Sequence, residues 1–219
     1  MYTYIPIFVN YVMAPCRVAY NRVCDYSSYY LGYSDNVATT TTERVYSDSE
    51  PFTKLVRFFS KPTHIVDNIY LGSAYNAASY YALKDIDIGL VLNVTNEISQ
   101  YYPNHFEYKQ YNLYDNNNDT IKIHLRNSYN EIKKFQKNSP DKNIFIHCFM
   151  GASRSASIII YYLMKTHKSA NGQRMTFEEA LEYIKNKRDI VNISNKFKND
   201  IDNISMSSSV QSLDLSLKL

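Results

Sequence analysis

Tryptophan is missing from this chain of 219 residues, and cysteine is scarce, with only Cys16, Cys24 and Cys148. Three cysteines make no complete disulfide framework, and their spacing fits no zinc pattern. Among His64, His105, His124 and His167, none pairs with another at metal-ligand spacing, so no metal or other cofactor is implied. A dominant charge is lacking too. Lys and Arg number 24 against 21 Asp and Glu, and the formal surplus of +3 suits an anionic substrate but argues against a dedicated nucleic-acid binder. No internal repeat occurs. The opening run Met1 to Ala14 is apolar, yet Pro6 and Asn10 break it, it has no basic lead-in, and it is too short to span a bilayer. It reads as an arm that packs on the domain or on a second subunit, with no membrane partner.

What is present is enough for an ordinary core, since 45% of the residues are hydrophobic. Tyrosine is abundant, at 22 residues, but points to no function. From Cys24 to Glu50 the composition shifts to Ser, Tyr, Asp and Thr, which reads as a linker. The chain therefore divides into an extension over residues 1–61, a domain over 62–204 and a serine-rich tail over 205–219.

Within the domain, His64 to Leu71 predicts a strand. Ser73 is placed to cap a helix through about Leu83, with Ala74, Ala77, Ala78, Tyr81 and Ala82 on its apolar side. Leu90 to Val94 predicts a buried strand. Thr120 to Gln136 carries Ile121, Leu125, Tyr129, Ile132 and Phe135 on one stripe, the pattern of an amphipathic helix. Thr176 and Glu179 form a capping box before Phe177, Ala180, Leu181 and Ile184. Lys185, Lys187 and Arg188 read as a solvated helix end favoured by the dipole. Strands alternating with helices predict an α/β fold with a mostly parallel central sheet flanked by helices.

The chain centres on His147-Cys148-Phe149-Met150-Gly151-Ala152-Ser153-Arg154-Ser155. A buried-strand signal, Asn143 to Ile146, precedes it, and a long apolar helix signal, Ala156 to Lys165, follows. Cys148 thus ends a strand, and Arg154 lies in the first turn of a helix. Helix-start N–H groups lack intrahelical partners and carry partial positive charge. A loop that turns its amides inward there forms a nest for a tetrahedral anion. Gly151 permits an otherwise strained dihedral, and Arg154 offers a planar fork to two phosphate oxygens. The same field favours the thiolate of Cys148, a nucleophile beneath a bound phosphoryl group. Ser155 can hydrogen-bond the sulfur and ease its departure, while His147 orders the loop.

This string resembles the signature of the cysteine-dependent protein tyrosine phosphatases, specifically the dual-specificity branch. Three further stretches are similar to the same family: Asn68 to Ala77, Gly89 to Glu97, and Phe106-Glu107-Tyr108 with Tyr114-Asp115. The wording is nearest to the slingshot subgroup, whose substrates are phosphorylated cofilin-type proteins. The resemblance, over roughly residues 62 to 200, implies a protein tyrosine phosphatase-like fold and a phosphocysteine intermediate on Cys148. It also implies a loop aspartate some thirty residues upstream that protonates the leaving oxygen, a place held by Asp115, with Asp119 as the rival. Where relatives carry a Pro-Asn-Pro turn, this chain has Ile193-Ser194-Asn195, which bears on the hydrogen bonding behind the active loop.

Lipid and polyphosphate phosphatases of the superfamily it resembles tend to place lysines in this loop, whereas Phe149, Met150, Ala152 and Ser153 are uncharged, so the resemblance implies a phosphoprotein substrate. With no segment resembling the deep phosphotyrosine-recognition loop of the strict tyrosine enzymes, it implies phosphoserine and phosphothreonine alongside phosphotyrosine. A phosphoprotein-binding module without turnover, and an RNA or lipid phosphatase, are the competing expectations. The reduced thiol this chemistry requires points to a cytoplasmic or nuclear compartment.

Overall fold

The computed structural model describes residues 50–113 and 121–204. The opening arm, nearly all of the linker stretch, Asp115, Asp119 and the tail lie outside the described residues. The elements run α1 (Glu50–Phe59), β1 (Thr63–Val66), β2 (Ile69–Gly72), α2 (Ala74–Ala77), α3 (Tyr80–Asp85), β3 (Ile88–Asn93), β4 (Glu107–Gln110), α4 (Lys122–Asn138), β5 (Asn143–His147), α5 (Arg154–Thr166) and α6 (Phe177–Lys185). A last helix covers residues 195–204.

The five strands form one sheet in the order β1-β2-β5-β3-β4. Only the β1–β2 pair is antiparallel, so the fold is α/β with a mostly parallel sheet, as its alternating pattern predicts. β5 lies at the centre between β2 and β3, and side chains alternate across it. Ile144 and Ile146 face the larger core, with Leu90 and Leu92 of β3 beside them. Phe145 and Val91 face a smaller core on the opposite side, with Ala77, Leu83 and Phe106. α5 packs against α4 and α6. Neighbours on two sides and the sheet beneath explain why Arg154 through Met164 are all buried and why the segment reads as apolar all round.

Two predicted elements divide. The run His64 to Leu71 is two strands, because Asp67 turns the chain at φ 47°. Asp67 accepts from the Tyr162 hydroxyl at 2.6 Å, and Gln136 donates to Asn68 at 2.8 Å, tying this turn to α5 and α4. The single helix from Ser73 to Leu83 is α2 and α3, separated at Ala78 and Ser79. That break shifts the helical phase, so Tyr81, expected on the apolar side, is 74% exposed and Leu83 is fully buried. Ser73 does cap α2, in a reciprocal box with Asn76. Thr176 and Glu179 form their box at α6, as the sequence predicts.

The sequence predicts only an extension over residues 50–61. In the structure α1 lies against the start of the domain. Ser73 Oγ donates to the Phe58 carbonyl at 2.6 Å, and Asn76 donates to the Ser60 carbonyl. The Phe58 ring centroid lies 5.6 Å from that of Phe149.

Candidate active site

The carboxyl end of the central strand is where ligands bind in open parallel sheets, and Cys148 follows β5 directly there. It is 3% exposed. The Gly151 amide points at its sulfur at 3.3 Å, and Ser155 Oγ donates to it at 3.2 Å.

The loop from Phe149 to Ala152 turns its carbonyls outward, each to a donor from elsewhere in the fold. Phe149 O accepts from Ala74 N at 2.9 Å, and Ala152 O from Asn192 N at 3.0 Å. Between them, Met150 O and Gly151 O accept from Arg188 Nη2 and Nε, each at 2.9 Å. A trans peptide sets its N–H opposite its C=O. Four carbonyls facing out therefore turn the following amides, from Met150 to Ser153, toward the loop's interior. That is the geometry of an anion nest. Gly151 sits at φ +70°, and a Cβ there would lie 2.4 Å from Gly72 O, so both dihedral and space require glycine. Ser153 Oγ is buried with no hydrogen-bond partner among the described residues, a donor available to a bound oxyanion.

Arg154 is 5% exposed at the start of α5. Its guanidinium meets the Glu97 carboxylate on two oxygens, Nη2–Oε1 at 2.7 Å and Nη1–Oε2 at 2.9 Å, and donates to Leu113 O at 3.2 Å. Burial pushes the Glu97 carboxyl up, but the Arg154 hydrogen bonds and charge outweigh it and hold it below the usual carboxylate range. Nothing in the sequence singled out Glu97 for this contact; it surfaces only in the strand-and-loop stretch after β3.

His147 is buried, stacked on Phe145 at 5.4 Å, with Nδ1 3.3 Å from the Cys148 carbonyl. Burial drives its pKa down to about 4, so the imidazole is neutral near pH 7 and Nδ1–H donates to that carbonyl.

Arg188 differs most from its sequence reading. Expected on a solvated helix end, it is fully buried and lies behind the loop. Its signal was masked because Lys185 and Lys187 beside it look like surface charge. The turn after it also differs from the Pro-Asn-Pro expectation. Asn192 still reaches the loop, and Ser194 Oγ accepts from Phe197 N at 3.4 Å, at the start of the last helix. Of the predicted site residues, the structure brings together Cys148, Arg154, Ser155, His147 and the loop from Phe149 to Ser153. Asp115 lies outside the described residues.

A site of this kind defines a class, and comparison with known proteins agrees. The family described as "Dual specificity phosphatase, catalytic domain" matches residues 69–205, and the chain belongs to that family of phosphatases. Slingshot phosphatases are among its relatives. The Drosophila melanogaster protein phosphatase Slingshot is 31% identical over 66% of this chain and 13% of its own length. Slingshot homolog 1 of Homo sapiens is 36% identical over 59% of this chain and 12% of its own. Dual specificity protein phosphatase 1 of Rattus norvegicus is 28% identical over 78% of this chain and 44% of its own. The chain thus spans about an eighth of the Slingshot relatives.

The solved structure of a mouse putative dual specificity phosphatase complexed with zinc tungstate shares the fold. Its TM-score is 0.62 at 16% identity, over 83% of this chain and 96% of that one. So does the human tyrosine phosphatase-like serine/threonine/tyrosine-interacting protein, with a TM-score of 0.59 at 20% identity, over 67% of this chain and 97% of that one. Among the described residues no helix is long and apolar enough to cross a membrane.

Proposed function

We propose that this chain is a protein phosphatase that hydrolyses phosphotyrosine, phosphoserine and phosphothreonine on proteins through a phosphocysteine on Cys148. One observation carries the reading: the Gly151 amide and Ser155 Oγ meet one sulfur, at the head of a loop whose four carbonyls face outward and which ends on the buried Arg154. In the first step Sγ attacks phosphorus while the ester P–O bond breaks. The leaving oxygen takes its proton from Asp115, because an alkoxide or phenoxide departs badly without an acid. In the second step Asp115, now a carboxylate, takes a proton from water as the water oxygen attacks phosphorus. The P–S bond breaks, inorganic phosphate forms, and Ser155 Oγ–H stabilises the departing sulfur. Arg154 and the loop amides hold the equatorial oxygens. Support for Asp115 is indirect: it follows Leu113, whose carbonyl accepts from Arg154, by two residues.

The uncharged loop side chains favour a phosphoprotein, and resemblance to the slingshot subgroup brings cofilin-type phosphoproteins in as candidate partners. The compartment that fits is the reducing cytoplasm or nucleus. The decisive experiment compares wild type with Cys148→Ser on a chromogenic aryl phosphate. Turnover disappears in the variant while phosphopeptide binding survives; equal rates in both would refute the mechanism. Wild type that binds phosphopeptide without releasing phosphate would identify a binding module instead. Assays on phosphotyrosine, phosphoserine and phosphothreonine peptides, inositol phospholipids and 5′-triphosphorylated RNA fix the substrate. Strict phosphotyrosine preference, or greater activity on lipid or RNA, counts against the reading.

A further inference from the structure

Arg188 is a fully buried cation, and among the described residues it makes no ion pair with a carboxylate. Its donors go to neutral oxygens instead. Nε and Nη2 take the carbonyls of Gly151 and Met150, Nη2 also reaches Arg57 O at 3.3 Å, and Nη1 reaches Thr63 Oγ1 at 3.3 Å. A buried charge is costly unless carbonyl dipoles and a nearby anion offset it. Such an anion belongs on the far side of the loop, where Cys148 lies and a phosphoryl group would bind. Burial draws the Arg188 pKa down to about 10, against the pull of the cysteine and of Asp189, which raise it.

The same guanidinium joins two parts of the chain. One edge holds the two middle carbonyls of the loop, and another holds the carbonyl of Arg57 on α1, which precedes the family-matched residues 69–205. Arg57 in turn grips Asp189, the next residue after Arg188, at 2.8 Å and 3.3 Å. Arg188 donates to the carbonyls of the loop and not to the sulfur, so any effect it has passes through the loop.

We infer that Arg188 is a positioning residue that holds the phosphate loop in its anion-binding shape, and that α1 is its far anchor, making the segment before the family domain part of the active-site scaffold. The inference rests on the phosphatase reading of the loop for its catalytic consequence, but not for its effect on oxyanion binding. Lysine could not replace this arginine, since a single ammonium group lacks the planar fork that spans two adjacent carbonyls.

The test measures inorganic tungstate binding by calorimetry and kcat/KM on an aryl phosphate, using the full chain. Arg188→Lys is compared with Leu83→Ala, a core truncation in α3 away from the loop. Arg188→Lys is expected to weaken tungstate binding and lower kcat/KM by about tenfold or more, because small misplacements of catalytic groups carry such losses. Leu83→Ala, despite a lower melting temperature, keeps both constants. Arg57→Gln, which leaves the α1 backbone carbonyl in place but breaks the Asp189 pair, is expected to weaken tungstate about threefold. It also decides the matter if Arg188→Lys does not fold. Tungstate affinity within twofold of wild type in a folded Arg188→Lys, equal losses in Leu83→Ala, or no change in Arg57→Gln would each overturn the inference. If wild type binds tungstate but hydrolyses nothing, and Arg188→Lys binds less, the catalytic reading fails while this one stands. A wild type that binds no tungstate sinks both.

Discussion

Single side chains around Cys148 divide into those that offer charge and those that withhold it. Arg154 and Arg188 bring two buried cations to one loop, with Glu97 facing the first and carbonyl oxygens the second. His147 adds none, because burial holds its imidazole neutral. That neutrality makes stability depend on pH. The folded pKa of about 4 lies below the ordinary 6.5, so between these values the unfolded chain binds a proton that the folded chain does not. More protons bound on unfolding means stability rises with pH, so it falls as pH drops from about 6.5 toward 4. The slope from this one group approaches about 1.4 kcal/mol per pH unit. Glu97 and Asp189, held below the usual carboxylate range, add their losses only at lower pH. Urea unfolding at several pH values should show the decline between pH 6.5 and 4.5, and His147→Gln should flatten it. An equally steep decline in the variant would assign the effect elsewhere.

Among the elements, the phosphate loop owes its shape to what touches its outer face rather than to contacts within it. Ala74 at the start of α2 and Asn192 beyond α6 each take one carbonyl, Arg188 takes two, and Gly72 at the end of β2 leaves no room for a side chain at Gly151. Gly151→Ala therefore meets two penalties at once, a left-handed dihedral and a Cβ 2.4 Å from Gly72 O. The expected cost is about 2–3 kcal/mol of stability, with tungstate affinity falling in step, because relief of the clash moves the loop. Thermal melts with and without tungstate read both. A variant that melts like wild type and binds tungstate equally would show that the loop is not fixed by this contact.

Across the whole molecule, β5 couples the core to the chemistry. Its alternate side chains enter both core clusters, and the strand delivers Cys148 straight from them. Phe145 fills the smaller cluster and carries the stacked His147 ring. Phe145→Ala should cost about 3–5 kcal/mol through lost burial and a residual cavity, and should lower turnover because it also removes the ring on which His147 stacks, a contact Leu83 does not make. Chemical denaturation and aryl phosphate kinetics on the same sample test the link. A loss under 1 kcal/mol would mean the smaller cluster collapses around the gap.

What the residues alone determined follows local rules. Apolar period marked β3, β5, α4 and α5, and the cap at Ser73 and the capping box at Thr176 needed only neighbours a few positions away. The spacing of Cys148, Gly151, Arg154 and Ser155 between a strand and a helix located the loop, because the residue types its chemistry needs lie within eight positions, while its shape is held by donors from elsewhere in the fold. Tertiary structure alone decided the rest. The hairpin at Asp67 is fixed by Tyr162 and Gln136, far along the chain. Glu97 meets Arg154 only because β3 and β5 are adjacent in the sheet. Arg188 is indistinguishable from its basic neighbours in sequence; burial behind carbonyls contributed from elsewhere in the chain turns a surface-looking charge into a structural one. Contacts across a hundred residues leave no periodic trace, since the partner that satisfies a buried group is chosen by the fold and not by its neighbours in sequence.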